Sequence, residues 1–369
     1  RRGARRRANM LAGVASAQKA QAGPDESLDS FATMKPVPLV ALVGMQGLHD
    51  PLTSRRLQSH PDELAPRYIS LEINTSFLDH QPGSGAGQEN AILKRGWLHK
   101  HTYVSAAVVC LWLDFGSSGD IVTTWLGLLE SFRTRCRPNC KIVVVILQSA
   151  KDGPLSSGVD ERITTLRKSG ELDAKSLFVL PTEGEGEARR VDEGSLRRLD
   201  KSLLDLALSY YKDGESRLAQ AVAMSKKAQG APKKAPQLLA RHHFKRAYNA
   251  EVRRDAASAF KHWTACYGHI REVLRLVGSA AAGEAEGGAV PLYEVKRVAE
   301  FVSGKLCRAM LEAGKHQEAY DTFRRHTRAF TPRIHATPDS RPPPGASPAS
   351  VAAAGHLHWG WLGKQQRNF

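Results

Sequence analysis

Apolar and polar positions follow two different rhythms along this chain. In the first half the apolar residues come in short unbroken runs. Residues 38–44 (PLVALVG) form one, closed by glycine, and residues 103–115 (YVSAAVVCLWLDF) are the most apolar stretch of all. Residues 141–148 (KIVVVILQ) are rich in β-branched side chains, and residues 175–181 (KSLFVLP) end on proline. Residues 69–73 alternate and predict a further strand. Runs that are apolar throughout predict strands covered on both faces, as in a parallel sheet. Between them the period changes. Trp125, Leu128, Leu129 and Phe132 form one stripe of a helix over 124–136, and a more polar helix is expected over 159–172. Strand alternating with helix predicts a doubly wound, mostly parallel α/β domain over 35–182.

Past residue 183 the strand runs stop and a spacing of three and four takes over. Leu196, Leu199, Leu203, Leu206 and Tyr210 make one helical seam. Residues 230–236 (GAPKKAP) break it. Ala240, Phe244, Ala247 and Tyr248 define the next stripe. Ala259, Phe260, Trp263, Tyr267, Ile270 and Leu274 define another, read as core packing, and a linker is expected over 278–290. Val295, Val298, Val302, Leu306 and Met310 follow; Gly314 with Ala319 and Phe323 is similar to the turn and second helix of a tetratricopeptide-type hairpin. Residues 183–369 therefore predict an all-α, TPR-like solenoid, although no two copies align at a fixed period. Pro, Ser and Ala mark a flexible insertion at 331–355, and 356–369 resume a helix-compatible pattern. Residues 1–34 are expected to be a disordered basic leader, and 81–90 a flexible loop.

Composition narrows the function classes. The 369 residues are 41% apolar, enough for a sizeable core, and carry a net charge of +16. Such a balance raises nucleic acid, anionic membrane or an acidic protein as partners. The basic helices carry interleaved acids such as Glu251 and Asp255, and no nucleic-acid signature accompanies them, so no nucleic-acid partner is expected. Arg241 and Lys245, four apart on one helix beside the stripe Ala240, Phe244 and Tyr248, are the candidate partner-binding residues, expected to face solvent. The five cysteines are scattered and odd in number, which predicts reduced thiols in the cytoplasm. Cys136 and Cys140 lack the further ligands zinc requires. No run is long enough to span a bilayer.

Candidate chemistry is sparse. Gly44-Met45-Gln46-Gly47 follows a strand but lacks the spacing of a dinucleotide fingerprint. Residues 116–120 (GSSGD) lie where such sheets bind ligands and also have the composition of a plain turn. Asp114 and Asp120 flank that strand end. Ser303-Gly304-Lys305 resembles the tail of a phosphate loop with no upstream glycine. His99 and His101, His242 and His243, and His356 and His358 come in pairs without the spacing of a metal helix. The reading is no catalytic residue, no metal and no cofactor, against the alternative of an α/β-fold nucleotide-binding enzyme or hydrolase with a helical accessory domain, or of a helical adaptor outside trafficking.

Three segments in order resemble one family. Residues 92–101 (ILKRGWLHKH) run into the 106–115 strand, 175–181 follow, and 238–245 (LLARHHFK) lead into the 259–267 helix. Weaker likenesses lie at 305–308 (KLCR), 323–326 (FRRH) and 361–365 (WLGKQ). Together they are similar to the foie gras domain family of the TRAPP vesicle-tethering complex, subunit 11, in its N-terminal part. The leader, the 81–90 loop and the 331–355 insertion have no counterpart there. The resemblance implies a scaffold acting between endoplasmic reticulum and Golgi and in autophagy. It implies other TRAPP subunits as partners and, indirectly, a Rab-family GTPase and vesicle or Golgi membranes. Its implied location is cytoplasmic, peripheral at Golgi and endoplasmic reticulum–Golgi intermediate membranes. Exchange chemistry in that family belongs to smaller subunits, so no catalytic residue carries over.

Overall fold

A computed structural model describes residues 28–58, 63–78, 91–94, 96–115, 121–136, 139–149, 157–184, 189–227, 236–280 and 292–334. Most of the expected leader, the 81–90 loop, the 116–120 turn, nearly all of the 331–355 insertion and 356–369 lie outside these residues. The chain groups into two compact units. One comprises residues 1–25, 36–84 and 96–214; the other comprises 26–35, 85–95 and 215–369.

The first unit is built on a six-stranded sheet in the order β2-β1-β3-β4-β5-β6. Its strands are β1 (Leu39–Val43), β2 (Arg67–Leu71), β3 (Val108–Asp114), β4 (Lys141–Ser149), β5 (Leu177–Glu183) and β6 (Arg190–Val191). The first five are mutually parallel and β6 is antiparallel to β5. Every residue of β1 is buried, as a strand covered on both faces requires. One face packs Val109, Leu111, Val144 and Ile146 against Trp125, Leu129 and Phe132 of a helix over Ile121–Arg135, and against Leu166 of a helix over Ser157–Ser169.

Three local differences from the sequence reading have physical causes. The first half of the 103–115 run is not strand: Lys100–Val104 close a wide helical turn, and β3 begins only at Val108. β5 does not stop at Pro181. Pro181 sits opposite Gln148 of β4, while β6 pairs only with Thr182 and Glu183. On the β6 side Pro181 is therefore at a free edge, where a missing N–H is tolerated. β2 begins two residues before the expected strand, and its residues are all half-buried, as suits an edge.

Numbering the helices in chain order, α1 is Leu28–Ala32, α2 Asp50–Gln58, α3 Trp97–His99, α4 Ile121–Arg135 and α5 Ser157–Ser169. The helical region follows with α6 (Glu193–Lys227), α7 (Pro236–Val252), α8 (Ala256–Ala280), α9 (Leu292–Glu312) and α10 (His316–Ile334). α6 is one long helix, and the division between the units falls within it, between Gly214 and Glu215. Its seam is Leu196, Leu199, Leu203, Ala207 and Tyr211; Leu206 and Tyr210 are only half-buried. α8 continues to Ala280, into the expected linker.

In the second unit α7 packs on α8, α8 on α9 and α9 on α10. The α7 stripe is buried as expected, at Ala240, Phe244, Ala247 and Tyr248, and so is the α9 stripe at Val295, Val298, Val302 and Leu306, while Met310 at its end is half-buried. Phe244, Trp263 and Phe301 form an aromatic centre, with Phe244 edge-on to Trp263 at 5.0 Å.

Candidate functional site

In an open parallel sheet a ligand crevice forms at the carboxyl ends of strands where the order reverses, here between β1 and β3. The loop leaving β1 is shaped by close packing. Gly44 has φ +81°, and a Cβ there would lie 2.7 Å from the Trp112 carbonyl oxygen of β3. Only glycine fits that conformation and that approach. Met45 is left-handed too, and the chain then turns through Gln46–Leu48 into His49. The His49 ring is 1% exposed. Its Nδ1 lies 2.7 Å from Ser70 Oγ, and the ring meets Trp112 edge-on at 5.1 Å. Burial pushes its pKa down to about 4, with a hydrogen bond to the Gly44 backbone opposing. Neutral His49 thus fastens the turn to β2 and β3.

β3 ends at Asp114, whose carboxylate receives both terminal nitrogens of Arg189 at 2.8 and 3.0 Å. Arg189 Nε also donates to Thr182 Oγ1 at 3.0 Å, and that hydroxyl donates to the Gln148 carbonyl. The Asp114 singled out in the sequence is therefore one end of a bridge joining β3, β4, β5 and the segment before β6. Asp120 lies outside the described residues.

A small cavity of about 30 Å³ lies against Ala106 and Val109 of the β3 entry, lined also by Leu78, Ser105, Cys136 and Cys140. It has room for about one water molecule. Cys136 and Cys140 are free thiols, as are the other three cysteines. Among the described residues no group of three or more His, Cys, Asp or Glu is arranged to hold a metal ion. No helix among them is long and apolar enough to cross a membrane. The His99 ring packs at a tilt against Tyr103 and that of His101 against Trp97, which places that pair in local ring packing.

The helical unit holds the more elaborate polar chemistry. Glu251 of α7 accepts from Trp263 Nε1 of α8 at 2.8 Å and from Lys305 Nζ of α9 at 2.9 Å. Lys305, the residue that resembled the end of a phosphate loop, is 8% exposed in the middle of α9. Nearby, Glu215 of α6 gathers Arg246, Arg253 and His262. His262 Nδ1 lies 3.2 Å from His243 Nδ1, and His243 also stacks on His269. Burial first, then His262, His269, Arg246 and His242, pushes the His243 pKa down to about 4. Periodicity could not reveal these partners, because a polar residue on a helical stripe reads as exposed.

Arg241 is half-buried. Its guanidinium donates to the carbonyls of Ala91 and Ile92, the Nε bond being 3.3 Å, so it holds the 91–94 segment of its own unit. Lys245, one turn further along α7, is half-buried as well.

No protein-family model matches the chain. Three curated proteins, from Bos taurus, Homo sapiens and Gallus gallus, are each named trafficking protein particle complex subunit 11. Each is 28% identical to this chain over 250 residues, covering 64% of this chain and 19% of the relative. The chain spans about a fifth of the length of these relatives. Over most of its length, then, this α/β and helical chain is similar to trafficking protein particle complex subunit 11.

Proposed function

We propose that this chain is the N-terminal part of a non-catalytic scaffold subunit of a TRAPP-type tethering complex. It acts in vesicle transport between endoplasmic reticulum and Golgi and in autophagy. It supports activation of a Rab-family GTPase that other subunits carry out, and its helices form a TPR-like solenoid. Its direct partners are other TRAPP subunits; it sits peripherally on Golgi and intermediate-compartment membranes. The observation that carries this reading is the similarity over 250 residues to proteins named for that complex. The geometry is compatible with it: Asp114 is held by Arg189, and His49 is buried and neutral. The candidate contact residues are Arg241 and Lys245, both half-buried on α7.

The test is affinity purification of the tagged chain from cytosol, read by mass spectrometry. Small TRAPP subunits should copurify, most strongly at low salt if the basic helical surface takes part. Their absence under all salt conditions would overturn the reading. Saturable GTP or ATP turnover by the purified chain, lost on Asp114→Asn, would overturn its non-catalytic part.

A further inference from the structure

The second unit contains a segment that precedes the whole sheet in sequence. α1 packs on α9. Phe31 is its buried anchor, at 5% exposure. Two cations of α9 meet its end and the chain after it: Arg308 Nη1 donates to the carbonyl of Ala32, the last residue of α1, at 2.8 Å, and Lys305 Nζ to the Met34 carbonyl at 3.2 Å. The last carbonyls of a helix have no partner within it, and cationic side chains satisfy them. The α9 face is thus matched to a short helix carrying one aromatic side chain and ending above Arg308 and Lys305.

This face is also held by groups other than α1. Lys305 keeps its bond to Glu251, and α9 is packed by α8 and α10. α1, in contrast, has five residues, too few to be helical alone. It is helical because it is docked. Phe31 and the bonds from Arg308 and Lys305 are among the contacts that hold it.

We propose that the α9 face under α1 is a docking site for a partner's short amphipathic helix with one aromatic anchor, occupied here in cis by residues 28–35 as a displaceable strap. The proposal builds on the scaffold reading: assembly would exchange an internal helix for a partner's. A tethered strap competes at a high effective concentration, so an incoming helix binds weakly until the strap is weakened.

The experiment uses the whole chain and a fluorescent peptide carrying residues 26–36, read by anisotropy. Phe31→Ala in the chain, with the peptide unchanged, should lower the peptide's Kd at least about tenfold, because the competitor is removed. Ala32→Pro, which breaks α1 and leaves every α9 side chain unchanged, should do the same, and circular dichroism melts check that both variants stay folded. Adding Arg308→Gln to either should weaken the peptide again. Equal Kd in the wild-type chain and both strap variants, no binding to any of them, or indifference to Arg308→Gln would each overturn the proposal. The assay needs no other subunit, so it can fail while copurification of TRAPP proteins succeeds, and the reverse.

Discussion

At the residue scale, the strongest commitments are buried polar groups whose partners come from other helices. Trp263 fills the aromatic centre and donates to Glu251, which also holds Lys305. Trp263→Ala should cost about 3–5 kcal/mol from lost transfer energy and the cavity left behind. Trp263→Phe keeps most of the ring but removes the donor, and should cost about 1–3 kcal/mol. Urea unfolding of the two variants checks the order; no loss for Trp263→Phe would mean that the indole N–H contributes nothing. His49 gives the pH dependence. Its folded pKa of about 4 lies below the ordinary 6.5, so the unfolded chain binds the proton more readily. Stability should therefore be complete above about pH 6.5 and fall as pH drops towards 4, by on the order of 2 kcal/mol at pH 5 from this group. Melts of wild type and His49→Gln at pH 7.5 and 5 test the sign, since the variant should lose less on acidification. The burial of Trp263 was legible from its helical spacing. That of His262 and Lys305 was not, because a pattern of apolar positions carries no information about ion partners two helices away.

At the scale of elements, most of the strands could be read directly. The apolar runs at 38–44 and 141–148 became β1 and β4, because a central parallel strand must be apolar on both faces. Weaker signals were displaced or missed. α2 is polar and starts at Asp50-Pro51, and β6 has only two residues. Turn geometry held a regularity that the side chains conceal. α7 and α8 join through Arg254 at φ +59°, and α9 and α10 through Gly314 at φ +73°, sixty residues later. In both turns the next residue's N–H reaches five residues back, Asp255 to Ala250 and Lys315 to Met310. Four residues on, Ala259 and Ala319 are both buried. The two turns thus share a backbone geometry that their side chains do not reveal. Glycine substitutions separate two kinds of constraint. Gly314→Ala meets open space and should cost about 1–2 kcal/mol for its conformation alone. Gly44→Ala meets the Trp112 carbonyl as well and should cost clearly more. Thermal melts that ranked the two the other way would contradict the tight packing of β1 on β3.

At the scale of the molecule, the sequence reading placed an α/β domain before a helical region, and both are present. It could not show that the helical unit also takes in 26–35 and 85–95, because contacts across two hundred residues leave no local trace. Ile92 and Leu93 are buried there, and Leu93 N–H donates to Glu294 Oε1 at 3.2 Å. A fragment beginning at residue 183 lacks both stretches. It should melt below the helical transition of the whole chain, and a peptide of residues 85–95 should recover part of the difference. A fragment as stable as the whole would show that these stretches contribute little. The three-way meeting of Glu251, Trp263 and Lys305 has a kinetic side as well. A half-assembled set of helices that buried Lys305 before Glu251 arrived would hold an uncompensated charge. Such an intermediate should be disfavoured, so α7, α8 and α9 are expected to gain stability together rather than one by one.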